Sequence, residues 1–300
     1  MKHFLLALLC FACVGHSAYG APKKIQAVCT IGMITDIVQN VGGDRVDAVG
    51  LMGPGVDPHL YRASEGDVGK LSKADMVFYN GLHLEAKMGE ILEKMGRFKT
   101  TVAVTDLIPK EKLLSPAQFQ GQHDPHVWFD VQFWMLATLK VRDALIKKDP
   151  AYKAEYETRA NAHLAKLEAL DKKIKKDVES VPKKQRIVVT AHDAFNYFGR
   201  AYGFEVVGLQ GISTESEAGT KDVQDLVNFI IQNKVKSIFI ESSLPKRNII
   251  AVQQAAKAKG WEVKVGGELF SDAMGRAGTH EGTYIGMIEH NIKTIVEGLR

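Results

Sequence analysis

Short β-rich runs alternate along the chain with longer stretches whose apolar residues recur at steps of three and four. That alternation predicts βαβ units around a mostly parallel sheet. Strands are expected at 25–31, 46–51, 76–79 and 101–104 in the first half, and at 187–190, 205–209, 237–240 and 262–265 in the second. Helical spacing separates them, as at 84–95, 222–232 and 249–259. The two halves read as repeats of one α/β architecture, without evident sequence identity.

Between the halves, Tyr152, Tyr156, Ala160, Leu164, Leu167, Leu170, Ile174 and Val178 keep steps of three and four. The spacing predicts one long helix over 151–181 with a single buried stripe, Pro150 suiting its first turn and Pro182 its stop. Thirty residues at ~1.5 Å each make a rod of roughly 45 Å, enough to run along two lobes and stiff enough to limit hinge motion. The alternative is a surface helix of the first lobe. At 300 residues the chain is expected to divide in two. The expected division is a leader at 1–20, a first lobe at 21–150, the linker helix at 151–181 and a second lobe at 182–300.

The leader reading rests on Lys2, the short apolar run 4–14 and the small residues that end in Gly20. The run is too short to span a bilayer, so an export signal cleaved after Gly20 is expected, with lipid attachment at Cys13 as the alternative. Cys10 and Cys13 form a C-x-x-C, but inside this apolar segment a redox role is disfavoured. Beyond the leader only Cys29 remains, in an apolar run that predicts a buried thiol. The net charge is +4, yet lysines mostly alternate with acids, as over 168–179, which describes a solvated helix face. Nucleic acid is therefore not an expected partner.

Against this background one tripeptide stands out. Asp-Pro-His occurs as Asp57-Pro58-His59 and again as Asp124-Pro125-His126. Proline stiffens each copy, and a strand-like exit from a loop is expected there. Two such mounts suggest that separate segments aim imidazoles at one point. His192 follows the first strand of the second half, and Asp272 follows the last, at the sheet edge where open α/β folds bind ligands. Three imidazoles and one carboxylate form a coherent shell for a divalent first-row metal. Nitrogen suits zinc, and a bidentate carboxylate enlarges the shell for manganese or iron. On spacing alone, loop or helix-cap roles for His192 and Asp272 stay open. His83 is read as packing at a helix start, His123 as a loop residue, His163 as structural or surface, and His280 and His290 as surface or cap residues.

Longer motifs carry a family resemblance. Asp57-Pro58-His59-Leu60-Tyr61, Asp124-Pro125-His126-Val127-Trp128-Phe129-Asp130 and Ser271-Asp272-Ala273-Met274-Gly275 resemble signature segments of the cluster 9 solute-binding proteins. These are the TroA-like and ZnuA-like components of zinc and manganese ABC importers. Gly211-Ile212-Ser213-Thr214, Glu217-Ala218-Gly219 and Glu281-Gly282-Thr283-Tyr284 are similar to that family as well. The resemblance implies two α/β lobes with mostly parallel four-stranded sheets, one long rigid helix joining them, and a metal in the cleft. It implies a membrane permease and its ATPase as partners, and ligands at His59, His126, His192 and Asp272; the periplasmic location is expected from the export signal. A monomer without enzymatic activity is expected.

For the ion, zinc is favoured, manganese comes second and ferrous iron third. Relatives dedicated to manganese carry glutamate where this chain has His192, whereas many zinc-dedicated relatives carry a histidine-rich loop where 107–124 has only His123. Two rival readings remain. An exported zinc hydrolase would need an open metal position, and His280-Glu281 lacks the second histidine of a metalloprotease helix. A binder of an iron chelate would need a roomy cleft with arginines, which do not cluster near the proposed ligands. Because imidazoles bind metal unprotonated, affinity is expected to fall below about pH 6.

Overall fold

The computed structural model describes residues 23–116, 119 and 121–300. The leader, with Cys10 and Cys13, lies outside the described residues. In the first half β1 (Ile25–Cys29), β2 (Val46–Gly50), β3 (Met76–Tyr79) and β4 (Thr100–Ala103) pair in parallel in the order β2-β1-β3-β4. β1 and β3 are buried along almost their whole length, as expected for central strands covered on both faces. Their connections carry α1 (Gly32–Gly42), α2 (Glu65–Lys73) and α3 (Gly89–Gly96). α2 starts at a capping box in which Ser64 and Asp67 satisfy each other's backbone N–H groups.

The helix expected at 84–95 is interrupted. Gly81, Leu82 and His83 all have positive φ, so the chain turns sharply there before a 3-10 turn at Ala86–Met88 and then α3. The turn is held by the buried Glu85 carboxylate, which accepts from Thr30 Oγ1, Asn80 N and Gly81 N. Burial raises the Glu85 pKa, and these donors oppose the rise.

After α4 (Val131–Lys148) comes α5 (Lys153–Val178), preceded by a 3-10 turn that begins at Pro150. Its 26 residues correspond to a rod of ~39 Å. Of the predicted stripe, Tyr156, Ala160, Leu167, Leu170, Ile174 and Val178 are buried, and the face also takes in His163 and Asp171. Asp171 accepts from Gln132 Nε2, Lys175 Nζ and Tyr202 OH, so it ties α5 to its neighbours.

The second half contains β5 (Ile187–His192), β6 (Glu205–Gln210), β7 (Ser237–Glu241) and β8 (Lys264–Leu269). The helices are α6 (Asn196–Tyr202), α7 (Thr220–Gln232), α8 (Arg247–Ala258) and α9 (Tyr284–Leu299). All four expected strands form, and their hydrogen bonds make two parallel pairs, β5-β6 and β7-β8, with β5 and β7 running side by side. At that seam Glu241, the last residue of β7, accepts the His192 N–H through its side chain at 2.9 Å.

The larger apolar core joins the first sheet to α4, α5, α6 and α9, and a smaller one lies under α7 and α8. Cys29 belongs to the larger core, where burial pushes its thiol up to about 12 and keeps it protonated. Among the described residues no helix is long and apolar enough to cross a membrane.

Candidate metal centre

All four candidate ligands lie beyond carboxyl ends of strands or on them. His59 sits in the loop that follows β2, His126 in the segment between β4 and α4, His192 on the last residue of β5, and Asp272 just past β8. His192 thus ends its strand, paired with Gln210, instead of lying past it. The Asp-Pro-His segments are turns instead of strand-like exits. In each, the aspartate accepts the backbone N–H of the histidine two residues on, at 2.9 Å for Asp57 and 3.0 Å for Asp124. That bond bends the chain inward and fixes the histidine backbone.

The structure brings the four side chains together in the interior, each at most 1% exposed. His126 Nε2 lies 3.3 Å from His59 Nε2 and 3.4 Å from His192 Nε2. Asp272 Oδ1 is 3.4 Å from His126 Nε2, while its Oδ2 is 3.2 Å from His192 Nε2 and 3.7 Å from His59 Nε2. One ligand atom from each residue falls within 4.8 Å of all the others. Bonds of ~2.0–2.1 Å to one tetrahedral centre put ligand atoms roughly 3.3 Å apart, close to the 3.2–3.7 Å between the pairs above. Neither oxygen of Asp272 receives a hydrogen bond. A buried carboxylate facing only converging ring nitrogens needs a cation at their centre, supplied by protons or by a metal.

Outer groups orient the ligands. Asp124 Oδ1 lies 2.7 Å from His126 Nδ1, and Glu241 Oε2 lies 2.6 Å from His192 Nδ1, although the angle of the latter falls short of a hydrogen bond. Such carboxylates turn the other ring nitrogen toward a metal. Trp128 packs edge-on to His126 at 5.2 Å between ring centroids and donates from Nε1 to Ser271 O, which anchors the neighbour of Asp272. Asn80 Nδ2 donates to Pro125 O and supports the second Asp-Pro-His turn from below.

The electrostatics follow from these neighbours. Burial alone would lower the His126 pKa, but Asp124 and Asp272 reverse the effect and raise it to about 9. At His192, burial is likewise outweighed by Glu241 and Asp272, and the pKa stands well above the ordinary value. His59 has no such outer carboxylate at its ring, and burial, aided by His126 and His192, lowers it to about 3. For Asp272, burial favours the neutral acid, yet the two histidines hold it well below the usual carboxylate range.

The remaining histidines stay apart from this cluster. His83 is exposed, with φ of 69°, rather than packed at a helix start. His123 Nδ1 lies 2.7 Å from Ser115 Oγ. His280 pairs with Glu289 at the surface, and His290 lies 3.0 Å from Glu268 O. His163 is buried on α5 with both ring nitrogens unpartnered, and burial lowers its pKa to about 4. Glu241, Asn80 and Asn196 escaped sequence reasoning, and Thr214 entered it only within a family-like segment, without a role. Glu241 carried a signal, because it ends a strand at the same sheet edge as His192.

Comparison with known proteins places the chain and its fold among relatives. A family model described as zinc-uptake complex component A, periplasmic, matches residues 27–298. The zinc-binding protein TroA of Treponema pallidum is 50% identical over 285 residues, covering 95% of this chain and 92% of the relative. The manganese-binding lipoprotein MntA of Bacillus subtilis is 45% identical, covering 100% of both chains. The solved structure of the Treponema pallidum periplasmic zinc-binding protein TroA superimposes with a TM-score of 0.90 at 51% identity, covering 92% of this chain and 99% of that one. The chain belongs to the zinc-uptake component A family, the metal-binding solute receptors of ABC importers.

Proposed function

We propose that His59, His126, His192 and Asp272 capture a single divalent ion, zinc in preference to manganese and ferrous iron third, for delivery to a membrane permease and its ATPase. The observation that carries this reading is the convergence of the four ligand atoms to within 4.8 Å in the interior. Ligands this close enclose a bare ion and leave no space for a chelate or haem. Four protein ligands also close the shell that a hydrolytic zinc must leave open for water, so the chain acts as a carrier and not as an enzyme. Three ring nitrogens favour zinc on ligand softness and on the Irving–Williams order, and the name of the relative TroA agrees. Both Asp272 oxygens face the histidines, which would also serve a five-coordinate manganese, the metal in the name of MntA.

The proposed lobes are 21–150 and 182–300, joined by 151–181, with α5 supporting the linker assignment. We assign residues 1–20 to export toward the periplasm. Lipid attachment at Cys13 draws support from the name lipoprotein borne by MntA. The chain is proposed to work as a monomer. The test is a chelator-competition series with zinc, manganese and anaerobic ferrous iron on stripped protein. One equivalent of zinc should bind tightest, manganese measurably weaker. Manganese binding as tight as zinc or tighter would overturn the zinc assignment, and failure of all three to bind would overturn the carrier reading.

A further inference from the structure

A site sealed this fully cannot exchange its ion without a local opening, so some contact across the cleft has to break. The repeated aspartates show where. Besides holding its own histidine, each uses its second oxygen to reach the other half of the molecule. Asp57 Oδ2 accepts from Thr214 Oγ1 at 2.6 Å, and Asp124 Oδ2 accepts from Asn196 Nδ2 at 3.2 Å.

The two crossings differ in how firmly they are set. Around Asn196, Phe129 stacks on Phe195 at 4.3 Å between centroids, Tyr197 OH bonds Asp124 O, and Arg200 lies over the rings of Phe133 and Tyr197. Phe129, Phe133, Phe195 and Tyr197 belong to the larger core, so opening there would tear apolar packing. Around Thr214, although it and Ile212 are buried, no aromatic stacking is found among the described residues, and neither belongs to the larger core. Thr214 lies in the loop between β6 and α7, and another crossing from this loop is an ion pair of Glu215 with Lys87, both side chains more than a third exposed. Exposed pairs of this kind hold little. Solvent also reaches this side: Asp57, Leu60 and Thr214 line a cavity of about 570 Å³, and Leu60, next to His59, is 48% exposed.

We propose that the Thr214 hydroxyl on the Asp57 carboxylate is the latch of the metal cleft, and that residues 211–219 are the element that swings when the ion enters or leaves. Because the same carboxylate holds the His59 backbone, breaking the latch loosens one ligand while His126 and His192 stay fixed by Asp124 and Glu241. Asp57 and Thr214 are therefore positioning residues that couple closure to ligation. The inference rests on the carrier reading above.

The test is zinc release from the loaded chain into excess chromophoric chelator, followed by stopped flow, for wild type, Thr214→Val and Thr214→Ser. Loss of a hydrogen bond to a charged acceptor should speed release about tenfold in Thr214→Val. Association should stay near wild type, and Thr214→Ser should restore slow release. Hydrogen exchange at 211–219 should rise in zinc-loaded Thr214→Val only. Release from Thr214→Val at the wild-type rate overturns the latch while leaving the carrier reading intact, as does equal acceleration by Thr214→Ser. A wild-type chain that takes up no zinc removes both. If Thr214→Val fails to fold, Thr214→Ala is read by the same criteria.

Discussion

At His126 two carboxylates work on one ring. Asp124 holds Nδ1 and Asp272 faces Nε2, so without a metal the ring keeps a proton to about pH 9. His192 is raised in the same direction by Glu241 and Asp272. A metal has to displace these protons, so capture at neutral pH should release at least about one proton per ion. Affinity should keep rising with pH between 6.5 and about 9. The fall expected below about pH 6 from ordinary imidazoles is thus moved upward by the neighbouring carboxylates. Calorimetric titrations in buffers of different ionisation enthalpy measure the release directly. The metal-free fold carries the linked signature. A histidine raised to about 9 in the folded state stabilises it fully below its unfolded value of 6.5, and that contribution is lost as pH rises through about 9. His59, lowered to about 3, acts in the opposite sense and costs stability as pH falls from 6.5 toward 3.

Among the elements, strand ends do the aiming, and β6 shows how closely they are fitted. A Cβ on Gly208 would stand 2.5 Å from the backbone of His192 and Asp193. Gly208 N–H also donates to Asp193 Oδ1 at 2.6 Å. Gly208→Ala should push the end of β5 away and weaken zinc binding at least about tenfold, as loss of outer support typically does. Chelator competition checks the affinity, and circular dichroism checks that the fold persists.

Much of this element layout was legible in the sequence. β1 to β7 declared themselves through short β-rich runs, and the long helix through its periodic stripe. β8 was read too early, at 262–265 instead of Lys264–Leu269, because Gly266 and Gly267 look like breakers. Gly266 is there to let the strand pass close to Phe239, whose ring would be 2.7 Å from an added Cβ. The four candidate ligands were flagged by the two Asp-Pro-His copies and by strand termini, and the family resemblance singled them out as one set. Asn196 and Thr214 were not, because their roles arise only from contacts across the cleft, and Glu241 was marked by nothing more than its place at the end of β7.

For the molecule as a whole, a continuous core on one side of the cleft and a lightly held loop on the other make closure local. α5 is packed against α1, α4 and α9, so it braces the halves instead of hinging them. In the proposed reading the ion, not a large domain motion, completes the interior, taking the place of protons held between His126, His192 and Asp272. Zinc K-edge X-ray absorption of the chain carrying one equivalent of zinc tests that claim most directly. The account predicts three imidazole nitrogens and one carboxylate at about 2.0–2.2 Å, with one imidazole lost in His126→Ala. A shell made chiefly of water, or one unchanged by His126→Ala, would contradict it.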